Sequence, residues 1–370
     1  MKILILTNYA NGLYLFRKEL LTALQEDGHT ITVSLPPDEN CKKLEQLGID
    51  IIETPFERRG NNPVKDMGLF LAYLKLLKRH KPDMVFTYTI KPNLYGGLAC
   101  RLLRIPYLCN ITGLGTAIEN ESLLSHILLK FYKISMKSAQ CVFFQNKKNR
   151  DFMNRYGVAC HNHKMLPGSG VNLTEHPFEE YSSEEDGIHF LAVIRIMKDK
   201  GIEEYLEAAK VIKRKYPKAC FWLVGEYEEE TREKYEPKIQ ELVDAKVITY
   251  LGHIDYVDKV MAKCHVIVHP SYHEGLSNVL LEAAACGRPV LASDINGCIE
   301  TFSPGESGIA FEPRRVEALV EAIEKILALT SQERRQMGIA ARAWVETYFD
   351  RRLVIKAYRE EIEQRKKENR

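Results

Sequence analysis

The 370-residue chain holds no apolar run approaching the ~18 residues that a membrane-spanning helix requires. It contains no Gly-x-Gly-x-x-Gly, no Cys-x-x-Cys pair among its nine cysteines, and no long stretch of low complexity. Each absence removes a class. Met1 to Gly12 is too briefly apolar for a signal peptide, so the chain is expected to stay on the cytosolic side. Without the dinucleotide fingerprint, a nicotinamide or flavin cofactor is not indicated. Most cysteines sit in apolar contexts, which suits a reducing cytosol better than a disulfide framework. Cys160, His161 and His163 lack a fourth ligand at matching spacing, so no metal site is expected there. His265, His269 and His273 recur at intervals of four, but a strand ended by Pro270 runs through them. They would not share a helical face, and are expected to be structural or substrate-facing rather than zinc ligands.

The net charge of +2 conceals an asymmetry. Residues 1–165 carry 23 Lys and Arg against 14 Asp and Glu, a net of +9, whereas the remainder carries 29 against 36, a net of −7. A basic first half suits phosphate or anionic lipid, although a solvated surface is the plainer explanation of such an excess. With 45% hydrophobic residues the chain can bury a large core, and its length suggests two domains.

Apolar runs at residues 2–7, 30–35, 49–53, 83–88, 107–111 and 141–144 alternate with helical patterns, the signature of a doubly wound α/β domain. Ligands collect at the carboxyl ends of such strands, where loops 8–17, 88–93 and 112–116 would converge. The turn-rich segment Pro167-Gly168-Ser169-Gly170-Val171-Asn172 marks a linker. A second strand and helix series begins at residue 189, and from Arg315 onward the chain reads mostly as helices. The expected domains are 1–168 and 169–349, with a helix of about residues 350–370 packing back on the first. Across residues 121–138, Leu123, Leu124, Ile127, Leu128, Phe131 and Ile134 share one helical arc beside His126, Lys130, Lys133 and Lys137. That pattern fits either a helix packed on the sheet or one lying on an anionic membrane.

The most informative stretch is His265 to Ser293, read as strand, loop, helix, strand. Glu274 falls in the loop and Glu282 about one turn into the helix, so both can face a ligand at the helix N-terminus. The backbone N–H groups of Gly275, Leu276, Ser277 and Asn278 would be offered to an anion there. Arg195 and Lys200-Gly201 follow the first strand of the second domain, where a guanidinium and an ammonium can neutralise a departing diphosphate. Gly225 and Gly252-His253 stand at strand ends, where a base and ribose could approach the backbone.

The run Pro270-Ser271-x-x-Glu274-Gly275-x-Ser277-x4-Glu282-Ala283-x-Ala285-x-Gly287-x-Pro289-Val290 resembles the donor-site signature of retaining GT-B glycosyltransferases, in particular glycosyltransferase family 4. The resemblance extends along the chain through the Gly168 to Asn172 hinge and the Arg195-x4-Lys200-Gly201 pair. It implies a GT-B fold, with two Rossmann-like domains facing a central cleft, an amino-terminal acceptor domain and a carboxyl-terminal nucleotide-sugar domain. Arg195 and Lys200 would hold the donor diphosphate, Glu282 the ribose, and Glu274 with Gly275 to Asn278 the sugar and distal phosphate. Gly225, His253 and Ile254 would lie near the nucleoside. Asn11, Gly12, Arg17, Lys91, Thr112 and Gly113 would serve the acceptor.

Tyr88-Thr-Ile-Lys91-Pro-Asn93 and Asn110-Ile-Thr112-Gly113-Leu-Gly115-Thr116 are similar to enzymes that extend sugars on polyprenyl-diphosphate carriers for capsule, O-antigen or N-glycan precursors, N-acetylgalactosaminyltransferases among them. The resemblance implies a UDP-sugar donor, a lipid-linked saccharide acceptor, retention of anomeric configuration and peripheral attachment to the inner face of the membrane. No nucleic acid is an expected partner. Family members commonly have a histidine before the glycine of the fifth-strand loop and paired glycines in the first loop. Here stand Thr112-Gly113 and Asn11-Gly12, so the contact to the donor's C6 hydroxyl and the donor sugar stay open. The chain has no Asp-x-Asp, which argues against the metal-dependent GT-A design and for cationic side chains in place of a divalent ion. A UDP-N-acetylglucosamine 2-epimerase-like isomerase and a non-catalytic partner of the same architecture are the alternatives.

Overall fold

The computed structural model describes residues 1–57, 62–114, 123–159, 162–254 and 256–368. Two compact units emerge, one of Met1–Ser169 with Arg351–Arg370 and one of Gly170–Asp350.

The first unit is built on seven parallel strands: β1 Lys2–Leu6, β2 Thr30–Leu35, β3 Asp50–Glu53, β4 Met84–Tyr88, β5 Tyr107–Ile111, β6 Cys141–Phe144 and β7 His163–Met165, in the order β3-β2-β1-β4-β5-β6-β7. Its helices are α1 Ala10–Glu26, α2 Cys41–Glu45, α3 Pro63–His80, α4 Gly97–Leu103, α5 Leu123–Met136 and α6 Lys147–Arg155. The central strands β4 and β5 are buried at every position, as expected for strands covered on both faces. Alternate residues supply the two cores: Leu4, Leu6, Val85 and Cys109 pack with α3 to α5, while Ile3, Ile5, Phe86 and Leu108 pack with α1. α3 starts at Pro63 because the Asn62 side chain accepts from the N–H of Val64 and Lys65, and proline at the first helical position sacrifices no bond.

The terminal helix of the chain also belongs to this unit. Val354, Tyr358 and Ile362 of its buried face complete the core beside α1, and the Tyr358 hydroxyl bonds those of Tyr88, at 2.7 Å, and the Asn110 side chain. A segment distant in sequence thus closes the sheet's second face.

The second unit has six parallel strands, β8 His189–Val193, β9 Cys220–Val224, β10 Thr249–Tyr250, β11 Val266–His269, β12 Val290–Ser293 and β13 Gly308–Phe311, in the order β10-β9-β8-β11-β12-β13. Around it run α7 Ile202–Lys215, α8 Arg232–Asp244, α9 Val257–Met261, α10 Asn278–Ala285, α11 Val316–Ala328 and α12 Ser331–Tyr348; Arg351–Glu368, the terminal helix above, is α13. The first strand, β8, lies between β9 and β11, so strand order reverses beside it, and the crevice at the carboxyl ends of β8 and β11 is where such sheets bind ligands. Arg288, fully buried, gives its guanidinium to the carbonyls of Met261, Ala262, Glu179 and Glu180, fastening the segment before β8 to this sheet.

Three expectations are corrected. The segment from Asn8 to Arg17 is not a loop: α1 begins at Ala10, so Asn11, Gly12 and Arg17 are helical. The cause is tertiary, since the Asp38 carboxylate beyond β2 accepts from the Ala10 N–H and holds the helix start. Arg17 is also buried, stacked 5.7 Å from the Tyr88 ring centre with its guanidinium donating to the carbonyls of Phe16 and Gly168. In α5, the buried face is Ser125, Leu129, Tyr132, Ser135 and Met136, whereas Ile127 and Ile134 of the expected apolar arc are about half exposed. The short α2 and α9, helix α8 and strands β7 and β13 were not anticipated. Gly115, Thr116, Cys160, His161 and Glu121 lie outside the described residues, as do the side chains of Leu123 and Leu124. Among the described residues no group of three His, Cys, Asp or Glu is placed to hold a metal ion, and no helix is long and apolar enough to cross a membrane.

Candidate functional site

Five loops at the carboxyl edge of the second sheet carry the chemistry. After β8 the chain turns through Lys198–Lys200 into α7, and Gly201, at φ 72°, makes the bend. A Cβ at this glycine would stand 2.1 Å from the Pro270 carbonyl oxygen, so only glycine lets the turn press against the loop that follows β11. The Tyr272 N–H donates to the Asp199 carbonyl at 2.9 Å, and the Tyr272 hydroxyl donates to buried Glu204 at 2.6 Å. The two loops are thereby laced together.

Lacing brings Lys200 to Glu274. The ammonium lies 2.6 Å from Glu274 Oε1, with both side chains more than four-fifths buried. The same oxygen is 3.0 Å from Nε2 of His269, the last residue of β11, and that nitrogen is 3.2 Å from the Ser277 hydroxyl. Ser277 in turn caps α10 by accepting from the Leu280 N–H. Burial pushes the Glu274 carboxyl up, but His269 and Lys200 outweigh it and hold the group at about 2. A carboxylate ionised at every physiological pH, an ammonium and a helix N-terminus therefore share one crevice.

The backbone around α10 is set from the other side by Gly297, beyond β12. The Ser277 N–H donates to its carbonyl at 2.7 Å, and a Cβ there would fall 2.6 Å from the Glu274 carbonyl oxygen. Of the four N–H groups expected to face an anion, that of Ser277 is thus already engaged. Gly275, Asn278, Val279 and Glu282 are the half-exposed positions along α10 and its approach, while Leu276, Leu280, Leu281, Ala283, Ala284 and Ala285 are buried. Glu282 therefore stands one turn beyond Asn278 on the open side.

Arg195 ends the β8 segment in an exposed ion pair with Glu228 at 2.5 Å, and is not joined to the Lys200 cluster by any hydrogen bond of its own side chain among those described. Gly225, at φ 153°, allows β9 to pass β8 where a Cβ would meet the Ile194 carbonyl oxygen at 1.8 Å. The His253 ring lies 3.2 Å from Glu226 at the open end of β9, and Ile254 packs on the core beside α10. In the first unit, Lys91 pairs with Asp66 at 2.8 Å, Asn11 is held by the Tyr9 hydroxyl and Lys43, and Thr112 and Gly113 are half exposed after β5.

Gly297 was not singled out from sequence, and His269 was read only as structural or substrate-facing, without a role beside Glu274. Their only signals were the position of His269 just before Pro270, and the Asn-Gly dipeptide at Gly297.

Comparison with known proteins bears on the activity and the fold. Residues 174–344 match the family described as glycosyl transferases group 1, and residues 2–146 match the family described as glycosyl transferase 4-like. The chain is 28% identical to the N,N'-diacetylbacillosaminyl-diphospho-undecaprenol alpha-1,3-N-acetylgalactosaminyltransferase of Campylobacter jejuni, with 97% of each chain covered. It is 25% identical to the capsular polysaccharide biosynthesis glycosyltransferase CapM of Staphylococcus aureus over 85% of each. It is 24% identical to the UDP-Gal:alpha-D-GlcNAc-diphosphoundecaprenol alpha-1,3-galactosyltransferase of Escherichia coli over 71% of each. The crystal structure of Anabaena HepE in complex with UDP and glucose superposes with a TM-score of 0.79 at 19% identity, covering 98% of this chain and all of that one. WaaG, a glycosyltransferase involved in lipopolysaccharide biosynthesis, gives 0.71 at 18% identity, with 96% of this chain and 98% of that one covered. The chain is a glycosyltransferase of GT-B fold, its first unit similar to the family 4-like transferases and its second to the group 1 transferases.

Proposed function

We propose that this enzyme moves a hexose or N-acetylhexosamine, with retention of configuration, from a UDP-sugar to a polyprenyl-diphosphate-linked saccharide in bacterial surface-glycan assembly. The observation that carries the donor half is the Lys200 to Glu274 pair at the N-terminus of α10. The acceptor half is supported by similarity to the Campylobacter enzyme along nearly the whole chain. Lys200, with Arg195, receives the diphosphate. Its charge, added to the helix terminus, stabilises the leaving group as negative charge builds on it. Glu282 accepts from the ribose hydroxyls, and His253 and Ile254 border the base. Glu274, fixed by His269, accepts from sugar hydroxyls as a permanent carboxylate. No enzymic nucleophile is required if a donor phosphate oxygen takes the acceptor's proton, and no divalent ion is required where cations already face the phosphates. Incubating the protein with a panel of radiolabelled UDP-sugars and short polyprenyl-diphosphate sugars tests the reading. Transfer to a lipid-linked sugar is expected, and its absence across the panel sinks it.

Glu282→Ala is expected to lower kcat/KM for the UDP-sugar at least tenfold with an unchanged circular dichroism spectrum. Full activity in that variant would remove Glu282 from the donor site.

The membrane face of the proposal rests on α5. Exposed Ile127 and Ile134 stand among exposed Lys130, Lys133 and Lys137, an arrangement suited to an anionic bilayer surface. Flotation with vesicles containing anionic phospholipid should recover the protein at low salt, and Ile127→Ser/Ile134→Ser should reduce recovery severalfold. Equal recovery of both proteins would show that α5 is not the contact.

A further inference from the structure

The first unit contains a cavity of ≈ 980 Å³ that no part of the donor chemistry uses. It opens at the carboxyl ends of strands: Pro36 follows β2, Pro55 and Phe56 follow β3, and Lys91 follows β4, while Asp66 and Leu69 come from the first turns of α3. This is the edge of the sheet where parallel α/β domains take ligands.

Among the described residues its lining is mostly apolar, and the charges of its four ionic side chains, Glu57, Lys65, Asp66 and Lys91, cancel. Lys91 pairs with Asp66 at 2.8 Å, both about seven-eighths buried, and Lys65 pairs with Glu57. The Tyr95 hydroxyl donates to the second Asp66 oxygen at 3.0 Å. Asp66 is therefore held from both sides, one oxygen by Lys91 and the other by Tyr95, and each oxygen keeps lone-pair capacity for a further donor. A diphosphate or nucleotide needs cations in excess, which the described residues of this wall do not supply. A partly desolvated ion pair on the wall of an open cavity adds little to folding. It is well suited to a neutral ligand with several hydroxyl or amide donors. Phe56, half-buried against Tyr73 with ring centres 6.5 Å apart, supplies a fixed aromatic wall, and Pro36 and Pro55 add rigid apolar surface.

We propose that this cavity reads the sugar ring of the acceptor, with Asp66 accepting from its hydroxyl or acetamido N–H groups, Lys91 orienting Asp66, and the ring lying against Phe56. The inference rests on the acceptor reading above and adds Asp66 and Phe56 as specificity-determining residues. A site built to pair with a polar substituent rejects the analogue that lacks it far more strongly than an apolar pocket does.

Farnesyl-diphosphate-linked N-acetylglucosamine and its glucose counterpart serve as acceptors, with UDP-N-acetylgalactosamine as donor. Asp66→Asn and Phe56→Ala should each raise KM for the acceptor at least tenfold. The KM for the UDP-sugar, and its slow hydrolysis without acceptor, should stay within twofold. Asp66→Asn should also change the preference between the two acceptors at least fivefold, which a merely structural role would not do. Acceptor KM and preference within twofold of wild type in both variants would overturn this inference alone. Equal damage to donor and acceptor kinetics, with a lowered Tm, would overturn it as well, by making Asp66 a folding residue. If the wild type hydrolyses UDP-sugars but transfers to no lipid-linked saccharide, the acceptor reading falls and this inference with it.

Discussion

Lys200→Ala is expected to lower kcat/KM for sugar transfer by about 10²- to 10³-fold, the scale seen when one preorganised donor to a developing negative charge is removed. The ammonium is positioned by backbone, not by chance. Gly201 bends the chain against Pro270, the Asp199 carbonyl is tied to the Tyr272 N–H, and Glu274 holds the amine at 2.6 Å. Alanine removes the charge and the contact to Glu274 but leaves the backbone bonds in place, so the fold should survive at a moderate cost in Tm. Lys200→Arg should recover part of the rate, because charge is kept while the guanidinium cannot occupy the same narrow turn in the same way. Activity within twofold of wild type in Lys200→Ala would move the diphosphate site elsewhere.

The second large effect is expected of Glu274. Glu274→Ala leaves Lys200 and His269 without the oxygen they share, and should reduce kcat/KM by at least 100-fold while also costing stability. The stability term has a defined pH dependence. The carboxyl lies at about 2 in the folded protein against an ordinary 4.5, so its contribution is fully present above 4.5 and is lost as pH falls towards 2. A displacement of that size corresponds to about 3 kcal/mol. Urea titrations of wild type and Glu274→Gln should therefore differ by about that amount at pH 7 and converge as pH falls below 4. A gap that stays constant down to pH 3 would show that Glu274 is not held by these partners.

Much of this was legible in the chain. The strand, loop, helix and strand of His265 to Ser293 lie where their apolar runs and Gly287-Arg288-Pro289 place them, because a parallel strand buried on both faces announces itself as a continuous apolar run. What stayed hidden depends on contacts between distant segments. The start of α1 at Ala10 needs Asp38, which lies 28 residues on, so Asn8 and Asn11-Gly12 read as turn formers. Helix α8 buries Tyr235, Ile239 and Leu242 at helical spacing but carries Pro237 within a highly charged sequence, which masks the pattern. β7 and β13 have only three and four residues, too few for alternation to show. In the site itself, Glu274 and Glu282 were visible as a spaced pair, whereas the role of His269 emerges only when β11 ends beside the Glu274 loop. In α5 the wheel found a real amphipathic helix, and Leu128 and Phe131 of its arc do pack on the core, but the buried face is rotated from that arc, because Tyr132 and two serines are buried while Ile127 and Ile134 are left outside.

The central claim is tested most directly by NMR of the product formed from a UDP-α-sugar and a short polyprenyl-diphosphate-linked sugar. The account predicts a new glycosidic bond whose anomeric coupling is that of the α configuration, formed only when acceptor is present. A β-linked product would contradict retention, and interconversion of UDP-sugars without acceptor would show an isomerase in place of a transferase.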